Sequence, residues 1–471
     1  MDLYRKFRAS SLDTAPLGLW TGADTSENVF TPTGSRVVAW CGEGGSHFCQ
    51  TEGFGDMVFA VDPCAPPGDQ VHPVAATLSD FIGLLTLCRH GDLILNAYRM
   101  SRYLFEHRVA GIVLSYKTRS VLRALENTYH PTKPTDAYTY MTELQKRFDY
   151  TALPLHPDYF EWCPIRPGAL RWDVGFNTGF SEFCDRKQAG QELSVRRSFR
   201  WGEELWQIPA VYLCEDGIVV DQILEVPRES LETFSRKWSE RPDDELSQEE
   251  KLRRDMEYPL SRGATGTLVV NEKMIPCRQS TTVLWDPTRE NPWNARRTLE
   301  HYGLDRDRGY LIRRQRFPRK SKNPPIRTME IKLEADPVTI PGQRFVAPRA
   351  GEQVQFIDPF TGRVHSLTTV SLTREALDPN FLSDHPCCYT RLTFSLDPAI
   401  PKEQFHLTDC DPGDPFPMDP NDPAAMLFSG KIPAAGHTAL SSLRYTPAHS
   451  VTWRMTFCRK PRQDTTVRLL P

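Results

Sequence analysis

Hydrophobic and polar positions change their period along the chain. Residues 74–130 contain no proline, and their apolar residues recur every three or four positions. That spacing predicts helices, because proline removes an amide donor and clashes with the preceding turn. Leu78, Phe81, Ile82, Leu84 and Leu85 define a first helix, with Thr77 or Ser79 as its cap and Gly91 as its stop. Leu93, Leu95, Tyr98, Met100, Leu104 and Phe105 suit a second helix. Val113, Leu114, Val121, Leu122 and Leu125 suit a third, and Tyr138, Met141, Leu144 and Phe148 a fourth. Ahead of them lie short apolar runs at Val37–Trp40, His47–Gln50 and Met57–Val61, separated by Gly44-Gly45, Gly53 and Gly55. These read as strands joined by turns.

The middle of the chain carries a hairpin signal at 207–225, where two β-rich runs flank Glu215-Asp216-Gly217. Asp-Gly is a favoured hairpin turn. Pro227 then opens a helix with Leu231, Phe234 and Trp238 on one face. Residues 239–256 are highly charged and read as an exposed helix or a linker, and 267–285 as short strands around Asn271-Glu272. The last third alternates apolar and polar residues. Its candidate strands are Tyr310–Arg316, Met329–Leu333, Val354–Ile357, Val364–Val370, Tyr389–Leu396, Phe405–Leu407 and Val451–Phe457. The pattern predicts an α+β chain in three regions. Residues 1–150 form a small mixed sheet with helices, 151–300 a central hairpin-plus-helix region, and 301–471 a mainly antiparallel, sandwich-like β domain.

Composition sharpens this picture in three ways. Proline is about 8% of the chain (39 of 471 residues), against about 5% in average usage, with 20 of the 39 in residues 301–471. There it punctuates strands rather than marking disorder. The formal net charge of −3 gives no general attraction to nucleic acid or anionic membrane. Twelve cysteines without a C-x-x-C pair, and an N-terminus lacking the apolar core of a signal peptide, predict a cytoplasmic chain with reduced thiols. No run reaches the length of a membrane span.

Gly53–Leu85, GFGDMVFAVDPCAPPGDQVHPVAATLSDFIGLL, couples a strand ending in an acidic residue and proline to a loop, V-H-P-V-A, and an amphipathic helix. With Asp62, Pro63, Val74, Ala75 and Phe81, it resembles the core of the SUKH (SMI1/KNR4-like) superfamily over about the first 110 residues. The resemblance implies an α/β protein-binding module, many bacterial members of which neutralise a toxin by occluding it. The whole chain is also similar to long proteins of anaerobic gut Firmicutes, through HFCQTEGFGDMVFAV, IPAVYLCEDGIVVD and SLRYTPAHSVTWRMTF. That similarity implies no activity.

Several residue groups have chemical potential. Cys41, His47, Cys49, Cys64 and His72 are zinc-capable types, but their spacing matches no paired-ligand pattern, so no metal is expected. Asp409–Pro423 holds five aspartates interrupted by five prolines, which reads as a stiff acidic loop rather than a calcium site. Residues 306–327 carry nine Lys and Arg against one Asp. Nucleic acid is an unlikely partner, and the arginines are expected on the exposed side of an edge-protecting strand. Cys49 with His47, and His437 with Ser441 and Ser442, lack the geometry of a nucleophile and base. Trp162, Trp172, Phe176 and Phe180 lie in an irregular Gly/Pro-rich stretch and read as a small core under a long loop. The chain contains no G-x-S-x-G, H-E-x-x-H, P-loop or G-x-G-x-x-G motif.

The expectation is a cytoplasmic, non-catalytic protein-binding module, toxin neutralisation included, with no cofactor, no metal and no catalytic residue. The alternatives are an enzyme with an unrecognised site between domains, or a scaffold. A deep pocket with convergent polar groups and shifted His or carboxyl pKa values would favour the enzyme.

Overall fold

The computed structural model describes every residue except 1, 43, 170, 239–241, 243, 321–323, 348, 378–385, 411–436 and 471; at 248, 249 and 252 it describes the backbone alone. It is an α+β structure with a β-rich C-terminal region. The chain forms two compact units. The first comprises Met1–Lys237, Gly266–Lys332 and Val467–Pro471, and the second Trp238–Thr265 and Leu333–Thr466.

Helix α1 (Leu3–Arg8) precedes β1 (Leu19–Trp20), β2 (Ser35–Cys41), β3 (His47–Thr51), β4 (Val58–Val61) and β5 (Val71–Ala75). These five strands pair in sequence order and antiparallel throughout, where a mixed sheet was expected. No crossover helix separates them, so each strand returns beside the last. Both faces are covered. Phe48, Val58, Ala60 and Val74 pack toward the helices with Phe81, Ile82 and Leu85. Cys49, Phe59, Val61 and Val71 pack on the other side with Leu153.

The helical layer follows: α2 (Leu78–Cys88), α3 (Gly91–Asn96), α4 (Arg102–Gly111), α5 (Tyr116–Tyr129), α6 (Ala137–Arg147) and the short α7 (Tyr159–Trp162). Thr77 caps α2, its side chain accepting from Asp80 N. The stop, however, is Arg89 in the left-handed region at φ 64°, and Gly91 begins the next helix. A Cβ on Gly91 would lie 2.6 Å from Leu19 Cδ2, so close packing explains that glycine. The expected second helix is two helices, parted where Ser101 caps α4 by accepting from Leu104 N. Val113 falls outside α5 and is exposed.

Strands β6 (Gln191–Trp201), β7 (Glu204–Leu213) and β8 (Gly217–Val226) lead to α8 (Arg228–Trp238) and α9 (Gln248–Glu257). The hairpin stands, but its turn is Glu215-Asp216, closed by mutual bonds between Cys214 and Gly217. Gly217 is a strand residue, and a Cβ there would meet the Phe176 ring at 2.3 Å. The charged 239–256 stretch contains α9, begun by a capping box between Ser247 and Glu250. Next come β9 (Ala264–Val270), β10 (Lys273–Pro276) and β11 (Gln279–Trp285). Asn271 and Glu272 between the first two both have positive φ, as a tight I′-type hairpin requires. Helix α10 (Trp293–Tyr302), β12 (Gly309–Pro318) and β13 (Met329–Ala335) follow.

Within the first unit, β12 lies between β8 and β11 in a five-stranded sheet of order β11-β12-β8-β7-β6. It is therefore an interior strand, and Arg314 and Arg316 are buried, contrary to the expected exposed edge. Helix α10 and the loop carrying Trp172 and Phe180 cover one face of this sheet. Phe176 packs nearby on Ala210, Tyr212 and Val219. Of the four aromatics singled out in this stretch, Trp162 alone is largely exposed.

The second unit adds β14 (Val338–Val346), β15 (Gln353–Ile357), β16 (Val364–Ala376), β17 (Cys388–Asp397), β18 (Phe405–Asp409), β19 (His437–Leu440) and β20 (Thr452–Arg459). Sheets β14-β20-β18 and β15-β16-β17-β19 share one core, to which the first contributes Phe405, Leu407, Trp453, Met455 and Phe457. The second contributes Phe356, Leu367, Leu392 and Phe394. This is a sandwich, with alternate residues of each strand facing inward. The final strand, β21 (Thr465–Leu470), pairs beside β13 in the order β10-β9-β13-β21.

Candidate functional site

The zinc-capable residues are dispersed. Cys41 packs in the core on the helical side of the N-terminal sheet and Cys49 in the core on its other face. Burial pushes both thiols up to about 12. His47 contacts the Gly45 carbonyl at 2.8 Å and Thr31 Oγ1 at 3.3 Å, and burial lowers its pKa. Cys64 is exposed. Among the described residues no group of three or more His, Cys, Asp or Glu is arranged to hold a metal. Asp409 accepts from Ser442 N and pairs with Arg444 at 3.0 Å, while 411–423 of the acidic loop lie outside the described residues. Ser441 Oγ accepts from Thr390 N and donates to Ser442 O, and it lies past the end of β19 from His437, which begins that strand.

His72 stands elsewhere, in the wall of a cavity of about 760 Å³ within the first unit. The walls come from the loop before β5, the turn at Tyr98, helix α6 with its exit, the Gly168 turn, and α10 with the loop after it. Helix α10 supplies the chemistry. Ala295 and Leu299, four residues apart, bury against the central sheet, and Gly303 ends the helix at φ 64°. Arg296 and Glu300, on the i and i+4 positions beside them, line the cavity.

A chain of ion pairs crosses one wall. Arg296 pairs with Asp69 and, at 2.6 Å, with Glu300. Arg306 also reaches Glu300, at 2.5 Å, and donates to the Tyr98 carbonyl at 2.9 Å. Burial alone would disfavour the Arg296 charge, but Glu300 and Asp69 hold its pKa above the ordinary value. Burial pushes the Asp69 carboxyl above its usual range, partly offset by Arg296. The acidic and basic groups of this chain neutralise one another.

The bonding of His72 and Tyr98, beside this chain of ion pairs, is less complete. His72 Nε2 lies 3.2 Å from the Leu95 carbonyl, which can only accept, so Nε2 carries the proton. Burial pushes the ring down to about 4, although the Leu95 and Asp69 carbonyls favour its charged form. No hydrogen bond of acceptable geometry reaches Nδ1. The Tyr98 ring lies 4.3 Å from the His72 ring, and its hydroxyl also has no partner. Tyr138, by contrast, donates to the Met100 carbonyl at 2.9 Å. Phe148, Tyr150 and Trp293 add aromatic surface.

Nothing in this wall resembles a poised general base. A group held near pKa 4 is a weak base at neutral pH, Asp69 and Glu300 are held by arginines, and the described lining contains neither Cys nor Ser. What remains is the means to bind a polar molecule. No family model, curated protein or solved structure matches this chain, and no described helix is long and apolar enough to cross a membrane.

Proposed function

We propose that this chain is a non-catalytic binding protein that holds a small polar molecule in the cavity lined by His72 and Arg296. The observation that carries it is a cavity of ligand size lined by aromatic rings and by the paired charges of Asp69, Arg296, Glu300 and Arg306. The shifted His72 and Asp69 are the features that would favour an enzyme, but their direction and pairing fit recognition better than proton transfer. A calorimetric screen of small polar compounds, followed by chemical analysis of any ligand found, tests this reading. Binding with the ligand recovered unchanged is the expected outcome; steady conversion to product would sink it.

A second reading, recognition of another protein, has its own support. Val113, after α4, and Tyr116, the first residue of α5, lie just beyond the stretch that resembles SUKH modules and are 93% and 84% exposed. A cytoplasmic setting and toxin neutralisation belong to this reading. The paired substitution Val113→Ser with Tyr116→Ser should abolish crosslinking to a specific partner in lysate, and unchanged crosslinking would reject the surface.

A further inference from the structure

The second unit holds the one pair of adjacent cysteines in the sequence, Cys387 just before β17 and Cys388 as its first residue. In a regular strand neighbouring side chains point to opposite faces, which would part the two thiols. This strand does not begin regularly. The amides of Cys387 and Cys388 both donate to the Arg444 carbonyl, at 3.1 and 2.9 Å, and Arg444 N returns a bond of 2.8 Å to the Cys388 carbonyl. Two residues thus oppose one, the pattern of a β-bulge, which breaks the alternation and re-aims side chains. The thiols meet as a result. After burial, the strongest influence raising the Cys388 pKa is the Cys387 thiol, acting at hydrogen-bonding range.

The pair is both anchored and reachable. Leu377 N donates to the Cys387 carbonyl at 2.9 Å, and Cys387 packs on the cluster of Leu377, Tyr389 and Leu443. Arg444, across the bulge, is tied to Asp409 at 3.0 Å. Cys388 Sγ lies 3.8 Å from the Tyr445 carbonyl. A thiol is a weak donor, so little bonding is lost when its proton leaves. Both cysteines are half-buried, whereas Cys41, Cys49, Cys88, Cys163 and Cys184 are buried.

The donor set decides the ligand. Among the described residues no group of three or more His, Cys, Asp or Glu is arranged to hold a metal, so the closed four-ligand site of structural zinc is not built here. Sulfur ligands select soft, thiophilic elements. Trivalent arsenic makes three pyramidal bonds, and an organic arsenical brings one of them with it, leaving two for a pair of neighbouring sulfurs. We infer that Cys387 and Cys388 form a two-sulfur site for a trivalent arsenical. The step is a condensation with no change of oxidation state. An arsenical bearing two hydroxyls forms two As–S bonds and breaks two As–O bonds, and each departing hydroxyl takes a thiol proton and leaves as water. Because the bulge already brings the thiols together, the second bond closes a ring without the ordering cost that distant cysteines would carry. This site belongs to the second unit and does not rest on the cavity reading.

Phenylarsine oxide added to the full chain in the presence of glutathione, which keeps thiols reduced and competes for singly bonded arsenic, tests the inference. Intact-protein mass spectrometry should show a retained arsenical, and peptide mapping should place it on the segment carrying Cys387 and Cys388. Dimercaptopropanol, a dithiol, should remove it. Cys387→Ser and Cys388→Ser should each abolish retention, while Cys64→Ser, which removes an exposed single thiol, should leave it unchanged. Mapping on the wild type decides the matter even where a variant fails to fold. No retained arsenical, an arsenical absent from the Cys387-Cys388 segment, retention unchanged in either serine variant, or a disulfide between the two cysteines with no arsenic bound overturns the assignment.

Discussion

Two buried polar networks lie in the first unit, and they are finished to different degrees. In the central sheet, Asp221 on β8 and Arg314 on β12 are direct cross-strand partners, joined by two bonds of 2.8 Å. Tyr302 donates to Asp221 at 2.6 Å, which leaves Tyr212 as the donor to Tyr302 at 2.8 Å. Trp172 Nε1 then donates to Tyr212 at 2.9 Å. Every link from the indole to the carboxylate is made. The cavity network has an equally complete run from Asp69 to Arg306, but His72 and Tyr98 beside it retain unsatisfied atoms. A finished network specifies a fold. An unfinished one leaves polar groups whose removal costs the fold little.

The sharpest way to break this contrast is to remove Asp221. Asp221→Ala leaves Arg314, 2% exposed at its side chain, as a buried uncompensated cation. It should cost about 3–5 kcal/mol in urea denaturation. Next in size is an effect of pH. His72 titrates near 4 in the fold and near 6.5 when unfolded, so between these values the unfolded chain binds more protons. Its contribution is therefore present above about pH 6.5 and lost as pH falls toward 4, by about 3 kcal/mol. The difference between wild type and His72→Gln across that range should show this slope, and parallel curves would contradict it.

Two chemically identical substitutions complete the comparison. Tyr302→Phe deprives Asp221 of a donor and Tyr212 of an acceptor, and should cost about 1–3 kcal/mol. Tyr98→Phe removes a hydroxyl that bonds nothing, and should change stability by less than about 0.5 kcal/mol or raise it. Equal losses would erase the distinction between the two networks.

Much of the fold was legible because local chemistry announces it. Thr77 and the helical period of Phe81–Leu85 mark α2, and Asn271-Glu272 marks a hairpin. The seven candidate strands of the last third fall in observed strands apart from Val451, one residue ahead of β20, and Trp453, Met455 and Phe457 alternate inward as their spacing predicts. Misreadings arose where tertiary packing decided the matter. Arg314 and Arg316 looked like a solvated face because nothing local shows that β12 is flanked on both sides. The one hint was Asp221, a lone carboxylate inside the apolar run of β8 and a suitable partner for a buried arginine.

The cavity was not legible, because its walls come from segments around 67–72, 98, 138–150, 168 and 293–307. Helix α10 passed unnoticed among the charges of WNARRTLEHY, although Ala295 and Leu299 at i and i+4, with Gly303 after the last turn, were a usable signal. His72 was weighed only as a metal ligand. That its ring would be sealed against Leu95 and Tyr98 follows from the meeting of β5 with a turn more than twenty residues away.

The placement of β21 has a consequence for how the protein is made. Residues 467–471 belong to the first unit, and β21 pairs beside β13. A ribosome releases them after residues 333–466, the larger part of the second unit, have emerged. The four-stranded sheet therefore keeps an open edge from the emergence of β13 to that of β21, with β13 waiting for its last neighbour. Such an edge is a template for unwanted pairing with other chains. The interval between translating β13 and β21 is thus when the nascent chain has most need of a chaperone.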